Sequence, residues 1–201
     1  MRVLALFMAG SLCACASSGA TRSLSQKVGT ELTEVFPEDG RRWSYEAENE
    51  VIIALDRLDA ARDDKIECEA RQALAETAME TVDQRGGKAK EVWEARQTQV
   101  KAEIDAANSA IEVAELGVYC ARTSLELTKA RLAVRFDLPV EEDFVKRFEG
   151  QYEDCARDLE EAKTDLEKQQ TTAFKAKDDW RKVRGSYVSK TGDHDHGLWI
   201  D

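Results

Sequence analysis

Proline and histidine are both scarce in this chain, with two of each among 201 residues. With so few prolines, little interrupts a long helix. With so few histidines, little is available for general-base catalysis. Ala, Glu, Lys, Leu, Asp and Arg dominate instead, and charged residues make up 34% of the chain. This composition is typical of long helices with narrow apolar seams, so we expect an all-α fold.

Positive charge is also in short supply. The chain has 29 Lys and Arg residues against 40 Asp and Glu residues, and its formal net charge is −11. Because phosphate binding needs a basic face, we expect no nucleic-acid partner. The same negative charge disfavours binding to anionic lipid through side chains alone. Any membrane attachment is therefore expected to be covalent or inserted.

A long hydrophobic run is absent as well. The apolar segment 3–12 is shorter than the about 20 residues that cross a bilayer as a helix. One basic residue, Arg2, precedes this segment and small residues follow it, which is the layout of a secretory leader. We therefore expect residues 1–14 to be a cleaved signal peptide.

The leader ends in Leu12-Cys13-Ala14-Cys15, which resembles the lipobox of bacterial lipoproteins. In that family the cysteine receives a diacylglycerol, the leader is cut before it, and acyl chains such as palmitate anchor the protein to a membrane. The resemblance implies lipidation at Cys15. Ala16 follows instead of Asp, which implies sorting to the outer membrane, facing the periplasm. The alternative is an ordinary leader cut nearby, with Cys15 left as a plain thiol.

Residues 15–41 are predicted to form a flexible tether behind the lipidated cysteine. Ser, Gly and Thr are frequent in this segment, and Pro37 and Gly40 lie near its end. A weak apolar pattern within it is compatible with one or two helical turns against the body of the protein; it consists of Val28, Leu32, Val35 and Phe36.

Three long helices are predicted next, at about 42–84, 88–136 and 140–187, within a body of residues 42–188. Apolar residues recur there at alternating spacings of three and four, which is a heptad pattern. Gly86-Gly87 and Asp137-Leu138-Pro139 separate the helices. Short turns make consecutive helices antiparallel neighbours. We therefore predict an elongated, antiparallel three-helix coiled-coil bundle, roughly 60–70 Å long.

The second predicted helix carries two adjacent apolar stripes, which predicts that it has two neighbouring helices. One stripe includes Val100, Ile104, Ala107, Ile111, Ala114, Val118 and Ala121, and the other includes Ala106, Ala110, Val113, Gly117, Cys120 and Leu127.

Cys120 and Cys155 provide a test of this register. If the second turn is centred near residue 138, the two cysteines lie about equally far from it on antiparallel helices. An exported chain meets oxidising conditions, so a disulfide between them is one expectation. Cys68 is too distant to join either. The alternative is that all three are small buried apolar side chains, because a disulfide also needs a specific Cα separation.

The histidines, His194 and His196, lie in a predicted flexible tail, residues 189–201. Together with Asp193 and Asp195 they offer a loose site for a transition metal. The competing interpretation is a polar tail that holds no ion. Because no phosphate-binding loop or nucleophile motif is present in the sequence, we predict neither an enzyme nor a cofactor.

These features favour a structural or protein-interaction role. The chain would be a lipid-anchored envelope scaffold that binds an envelope protein or a second copy of itself. One alternative is an accessory or adaptor of an envelope transport or efflux assembly. Such assemblies contain periplasmic helical hairpins, and the stretch 121–139 resembles these hairpins in general form. That role needs an apolar hairpin tip, and the sequence offers Phe136, Leu138, Val140 and Phe144. A further alternative is a metal- or ligand-binding sensor that uses the tail and the helical core.

Overall fold

The computed structural model describes residues 22–24, 26–85, 89–141 and 143–192. Four helices make up this part of the chain, and it contains no strand. They are α1 (Thr30–Val35), α2 (Glu38–Arg85), α3 (Ala89–Arg135) and α4 (Phe144–Thr191). The prediction of an all-α fold is confirmed.

The three long helices have 48, 47 and 48 residues, so each is about 70 Å long. Helix α2 begins at Glu38, four residues before the predicted start, because Pro37 opens its first turn and accepts a 2.9 Å hydrogen bond from the Arg41 amide. Helix α4 runs four residues past its predicted end. It stops at Gly192, whose positive φ of 66° is the left-handed conformation of a helix C-cap.

Helix α3 lies between the other two long helices. Its contacts with α2 run in antiparallel register, from Leu58 beside Val118 to Arg71 beside Glu103. Its contacts with α4 are also antiparallel. In the described residues, no Cα atom of α2 comes within 8 Å of a Cα atom of α4. The long helices therefore form an open layer centred on α3 instead of a closed three-way bundle, which agrees with the two stripes on α3.

Small apolar clusters are spread along this layer. Near the middle, Ala54 and Leu58 pack on Val118. Near the end where α2 passes to α3, Val92 and Trp93 pack with Trp180. Both tryptophans are buried between the helices. Because the core consists of separate clusters along the layer, the stability of the fold is distributed along its length.

The segment predicted as a flexible tether requires a correction. Its described residues before α2 lie along α3 and α4, and we call residues 22–36 the strap. Val28 is 1% exposed and packs on Leu127, Ala130 and Phe148. Phe36 is 2% exposed and packs on Leu132 and Ala133. Burial of these two side chains holds in place a segment whose composition alone is typical of a linker.

Candidate functional site: the strap, the polar cross-link and the edge helices

The strap covers a buried charge pair on α3. Glu126 and Lys129 are each 5% exposed, and Lys129 Nζ lies 3.3 Å from Glu126 Oε1. The backbone N–H of Val28 donates a 2.6 Å hydrogen bond to Glu126 Oε2. A buried charge is costly unless it is paired and hydrogen-bonded, and here the strap supplies part of that compensation. This site is not apparent from the sequence, because the two residues look like an ordinary helical i, i+3 pair.

Two further contacts hold the exposed side of the strap. Arg22 Nη1 lies 2.9 Å from Asp158 Oδ2 on α4, and its guanidinium carbon lies 5.9 Å from the centre of the Tyr119 ring on α3. Arg147 Nη1 donates a hydrogen bond to Gln26 Oε1. The strap therefore bridges α3 and α4 from the level of Tyr119 to the α3–α4 turn.

At that turn, the apolar side chains predicted as a hairpin tip face the strap. Phe136, Leu138 and Val140 pack against the cluster that contains Phe36, and the Phe36 and Phe136 ring centres are 6.2 Å apart. Gly40, in the first turns of α2, makes room for this arrangement. A Cβ atom at that position would lie 2.6 Å from Phe136 Cε2.

The structure brings Cys120 and Cys155 together as a disulfide between α3 and α4, with Cα atoms 5.6 Å apart. Their Cα separation lies within the range that disulfides require. Cys68 stays outside any disulfide and is buried. This arrangement is the one that the antiparallel register predicts.

A polar cross-link runs through all three long helices. Arg71 Nε of α2 lies 3.7 Å from Glu103 Oε2 of α3. Gln99 Nε2 donates a 2.8 Å hydrogen bond to Glu103 Oε1, and Arg96 Nη1 donates one of 2.8 Å to Gln99 Oε1. The Arg96 guanidinium lies 4.5 Å from the centre of the Trp180 ring on α4, which is a cation–π contact.

Cys68 joins the α2 end of this cross-link. Arg71 Nη2 donates a 3.1 Å hydrogen bond to Cys68 Sγ. This hydrogen bond is the main reason that the pKa of Arg71 is raised, and Glu103 contributes in the same direction while burial opposes them. Arg71 therefore stays charged, and the cross-link fixes the arrangement of the layer rather than offering a titratable catalytic group.

The remaining predicted site residues, Cys15, His194 and His196, lie outside the described residues. Within the part of the chain that the structure describes, no group of three His, Cys, Asp or Glu residues is placed to hold a metal ion. Asp178 and Asp179 both pair with Lys182, at 2.6 and 3.6 Å, and the hydrogen bond from Lys182 to Asp178 is the main cause of its raised pKa.

An open groove of about 450 Å³ lies where the start of α3 meets the end of α4. Val92 and Val183 give it an apolar part, and Glu91, Lys182 and Tyr187 give it a polar rim. Lys182 on this rim is already paired with two carboxylates, those of Asp178 and Asp179.

The two edge helices carry exposed apolar side chains and contain stretches of opposite charge. On α2, acidic residues outnumber basic ones two to one, and Ile66 is 62% exposed. On the segment 168–191 of α4, seven residues are basic and two, Asp178 and Asp179, are acidic. Phe174, 74% exposed, lies within that basic segment.

None of the described helices is both long enough and apolar enough to cross a membrane. Comparison with protein-family models, with curated proteins and with solved structures gives no match for this chain.

Proposed function

We propose that this protein is a non-enzymatic bacterial envelope lipoprotein, anchored through Cys15 and acting as a scaffold in the periplasm. The observation that carries this proposal is the lipobox-like sequence Leu12-Cys13-Ala14-Cys15, followed within a few residues by a strap that packs on the helical layer. A covalent lipid gives lasting attachment to an acidic protein whose side chains alone favour no anionic surface. The outer membrane, facing the periplasm, is the proposed location.

The position of the strap defines how a lipid at Cys15 would hold the layer. Arg22, paired with Asp158, lies only seven residues after Cys15. Even a fully extended chain of that length spans at most about 25 Å. Tyr119, beside Arg22, lies about 25 Å from the end of α3. A lipid at Cys15 would therefore keep a point about one third of the way along the layer within about 25 Å of the membrane surface.

A scaffold role is supported by the contacts that the buried polar side chains make within the protein. The buried charges on α3 are compensated by the strap, and the polar cross-link from Arg71 to Trp180 joins three helices. Both arrangements stabilise one packing of the layer. The large surfaces that remain are the charged, partly apolar outer faces of α2 and α4, which suit a protein partner more than a small substrate.

The transport-accessory alternative finds less support. It needs an apolar hairpin tip that is available to a partner, and the strap occupies that tip, since Phe136 and Leu138 pack against the cluster containing Phe36. The sensor alternative depends on His194 and His196, which lie outside the described residues. No contact in the described part of the chain favours either role over the scaffold.

The decisive experiment compares the native protein with a Cys15→Ser variant by intact mass and membrane fractionation. We expect the native chain to begin at Cys15, to carry the mass of two or three acyl chains and to fractionate with membranes. The variant should lose both the added mass and the membrane association. A native chain that is soluble and unmodified would contradict the anchor. Circular dichroism of both proteins checks that the substitution leaves the helical layer intact.

A further inference from the structure

We propose that the first part of the strap opens and closes as a local unit while the helical layer stays folded, and that opening doubles the reach of the lipid tether. We call this part, residues 22–28, the latch. The opening is a property of the strap itself. Its effect on reach rests on the proposed function, because only a lipid at Cys15 makes the latch part of a membrane tether.

Few contacts hold the latch on the layer. Among its described residues, Val28 alone is buried, at 1% exposed, and it packs on the cluster that contains Leu127 and Phe148. Leu24 is half-buried. The other described residues of the latch are exposed: Arg22, Ser23, Gln26 and Lys27. One buried side chain and its amide therefore account for most of the attachment.

The exposed contacts of the latch add little to this attachment. The side chains of Arg22 and Asp158 pair at 2.9 Å, but they are 58% and 32% exposed. The hydrogen bond from Arg147 to Gln26 also lies at the surface. Because water and salt weaken such surface contacts, they orient the latch more than they hold it.

Beneath the latch, the layer presents charges instead of a wholly apolar surface. Glu126 and Lys129 are each 5% exposed, and the Val28 amide donates its hydrogen bond to Glu126. Removing two charges from water costs free energy that their mutual attraction only partly offsets. When the latch opens, water reaches the pair again and this cost disappears. The closed state is therefore held less firmly than it would be on an apolar surface of the same size.

The packing of the strap changes at Gly29, where the latch meets α1. The backbone of Gly29 is not helical, with φ at −55° and ψ at 132°, and a Cβ atom added there would meet nothing within 4 Å. Beyond this point the strap is held at several places, since Leu32 packs against two apolar clusters and Phe36 is 2% exposed. The latch can therefore leave the layer by a change of backbone at Gly29 while the rest of the strap stays in place.

Opening changes the length of chain between the proposed lipid and the layer. With the latch closed, the chain is held at Arg22, and the seven residues from Cys15 span at most about 25 Å. With the latch open, the first fixed point is near Gly29, fourteen residues from Cys15, and the span is at most about 50 Å. A pull on the anchor favours the open state, because opening lengthens the tether. The scaffold then has two distances at which it can stand from the membrane.

Hydrogen exchange of the lipid-free Cys15→Ser chain tests the opening. The Val28 amide is the reporter, because it is hydrogen-bonded to Glu126 only while the latch is closed. Local opening exposes little surface, so we expect urea well below the unfolding midpoint to leave its exchange rate unchanged. The amides at the centre of α3 should exchange more slowly and accelerate steeply with urea, because they need the layer to unfold. A Val28 amide that responds to urea as steeply as the α3 amides would overturn the proposal.

Two valine substitutions in the same chain form a matched pair for limited proteolysis. Val28 is buried in the latch, whereas Val35 is 62% exposed in α1. Val28→Ala should speed trypsin cleavage after Lys27 at least about fivefold, because the protease cuts the open state. Val35→Ala should be cleaved like the unsubstituted chain, and circular dichroism should show the same helical content in both variants. Equal cleavage rates for the two variants would contradict a latch that depends on Val28.

Reach is measured on the acylated protein in liposomes that carry a dye in the lipid. Glu112→Cys gives an exposed labelling point on α3, whereas Cys68 is buried and the other two cysteines of the layer are joined. Energy transfer from this label to the membrane dye should be lower in Val28→Ala than in Val35→Ala, and equal transfer would overturn the effect on reach. A native chain without acyl groups would contradict the anchor alone, and the exchange and cleavage experiments would still decide whether the latch opens.

Discussion

The backbone N–H of Val28 donates a 2.6 Å hydrogen bond to the carboxylate of Glu126, 98 residues farther along the chain. This contact joins the strap to the most buried charge pair of α3. It also explains why a polar segment without a helical heptad pattern stays on the surface of the helical layer. The apolar side chain of Val28 supplies burial, and its amide supplies a charge-assisted hydrogen bond.

Glu126→Ala should destabilise the protein strongly. The substitution leaves Lys129 buried without its partner and removes the acceptor for the Val28 amide. Removing one member of a buried pair costs about 3 kcal/mol or more, so the free energy of unfolding in urea should fall by about that amount. Trypsin should also cut faster after Lys27, which lies exposed in the strap.

Glu112→Ala is the matched control, because Glu112 is exposed on the same helix. Its effect on the free energy of unfolding should stay within about 0.5 kcal/mol. If Glu126→Ala and Glu112→Ala unfold at the same urea concentration, the strap does not depend on this buried pair.

The disulfide between Cys120 and Cys155 should make a separate contribution to stability. It closes a loop with a sequence separation of 35 residues. On the loop-entropy model, such a bridge stabilises the folded protein by about 3–4 kcal/mol. The double variant Cys120→Ala with Cys155→Ala should unfold at a correspondingly lower urea concentration, and a reducing agent should have no further effect on it.

Thiol labelling offers a check that does not depend on stability. In the unfolded but unreduced chain, Cys68 should be alkylated while Cys120 and Cys155 stay unmodified until a reductant is added. Alkylation of all three cysteines before reduction would show that the bridge does not form in the native protein.

The helical register was predictable because it rests on a local signal repeated many times. The three-four spacing fixes which side of each long helix is buried, and the glycine pair at 86–87 and the proline at 139 fix where the chain turns. Those two facts are sufficient to place Cys120 opposite Cys155. The two apolar stripes on α3 likewise indicate two neighbours.

The strap and the polar cross-link could not be predicted in the same way, because both depend on single contacts between distant parts of the chain. Composition makes the segment before α2 look like a linker, and only the packing of Val28 and Phe36 corrects that interpretation. Gln99 is 1% exposed although glutamine is usually a surface residue. Its burial follows from Arg96 and Glu103 on either side, which no periodic pattern distinguishes from an ordinary charged face.

Gly40 gives the sharpest test of how the strap end, α2 and the α3–α4 turn fit together. A Cβ atom there would lie 2.6 Å from Phe136 Cε2 and 3.2 Å from Phe36 Cβ. Gly40→Ala should therefore lower the free energy of unfolding by about 1–3 kcal/mol, although alanine is the better helix former. Gly185→Ala is the control, since nothing lies within 4 Å of its added Cβ. That variant should be more stable than the native protein by roughly 0.5–1 kcal/mol, because a helical glycine is replaced without a clash.

Combining Gly40→Ala with Phe136→Leu removes the ring edge that the new methyl group meets. The double variant should therefore lose less stability than the sum of the losses in the two single variants. Strict additivity would mean that Phe136 does not lie against Gly40 and that the strap closes over the turn in some other way.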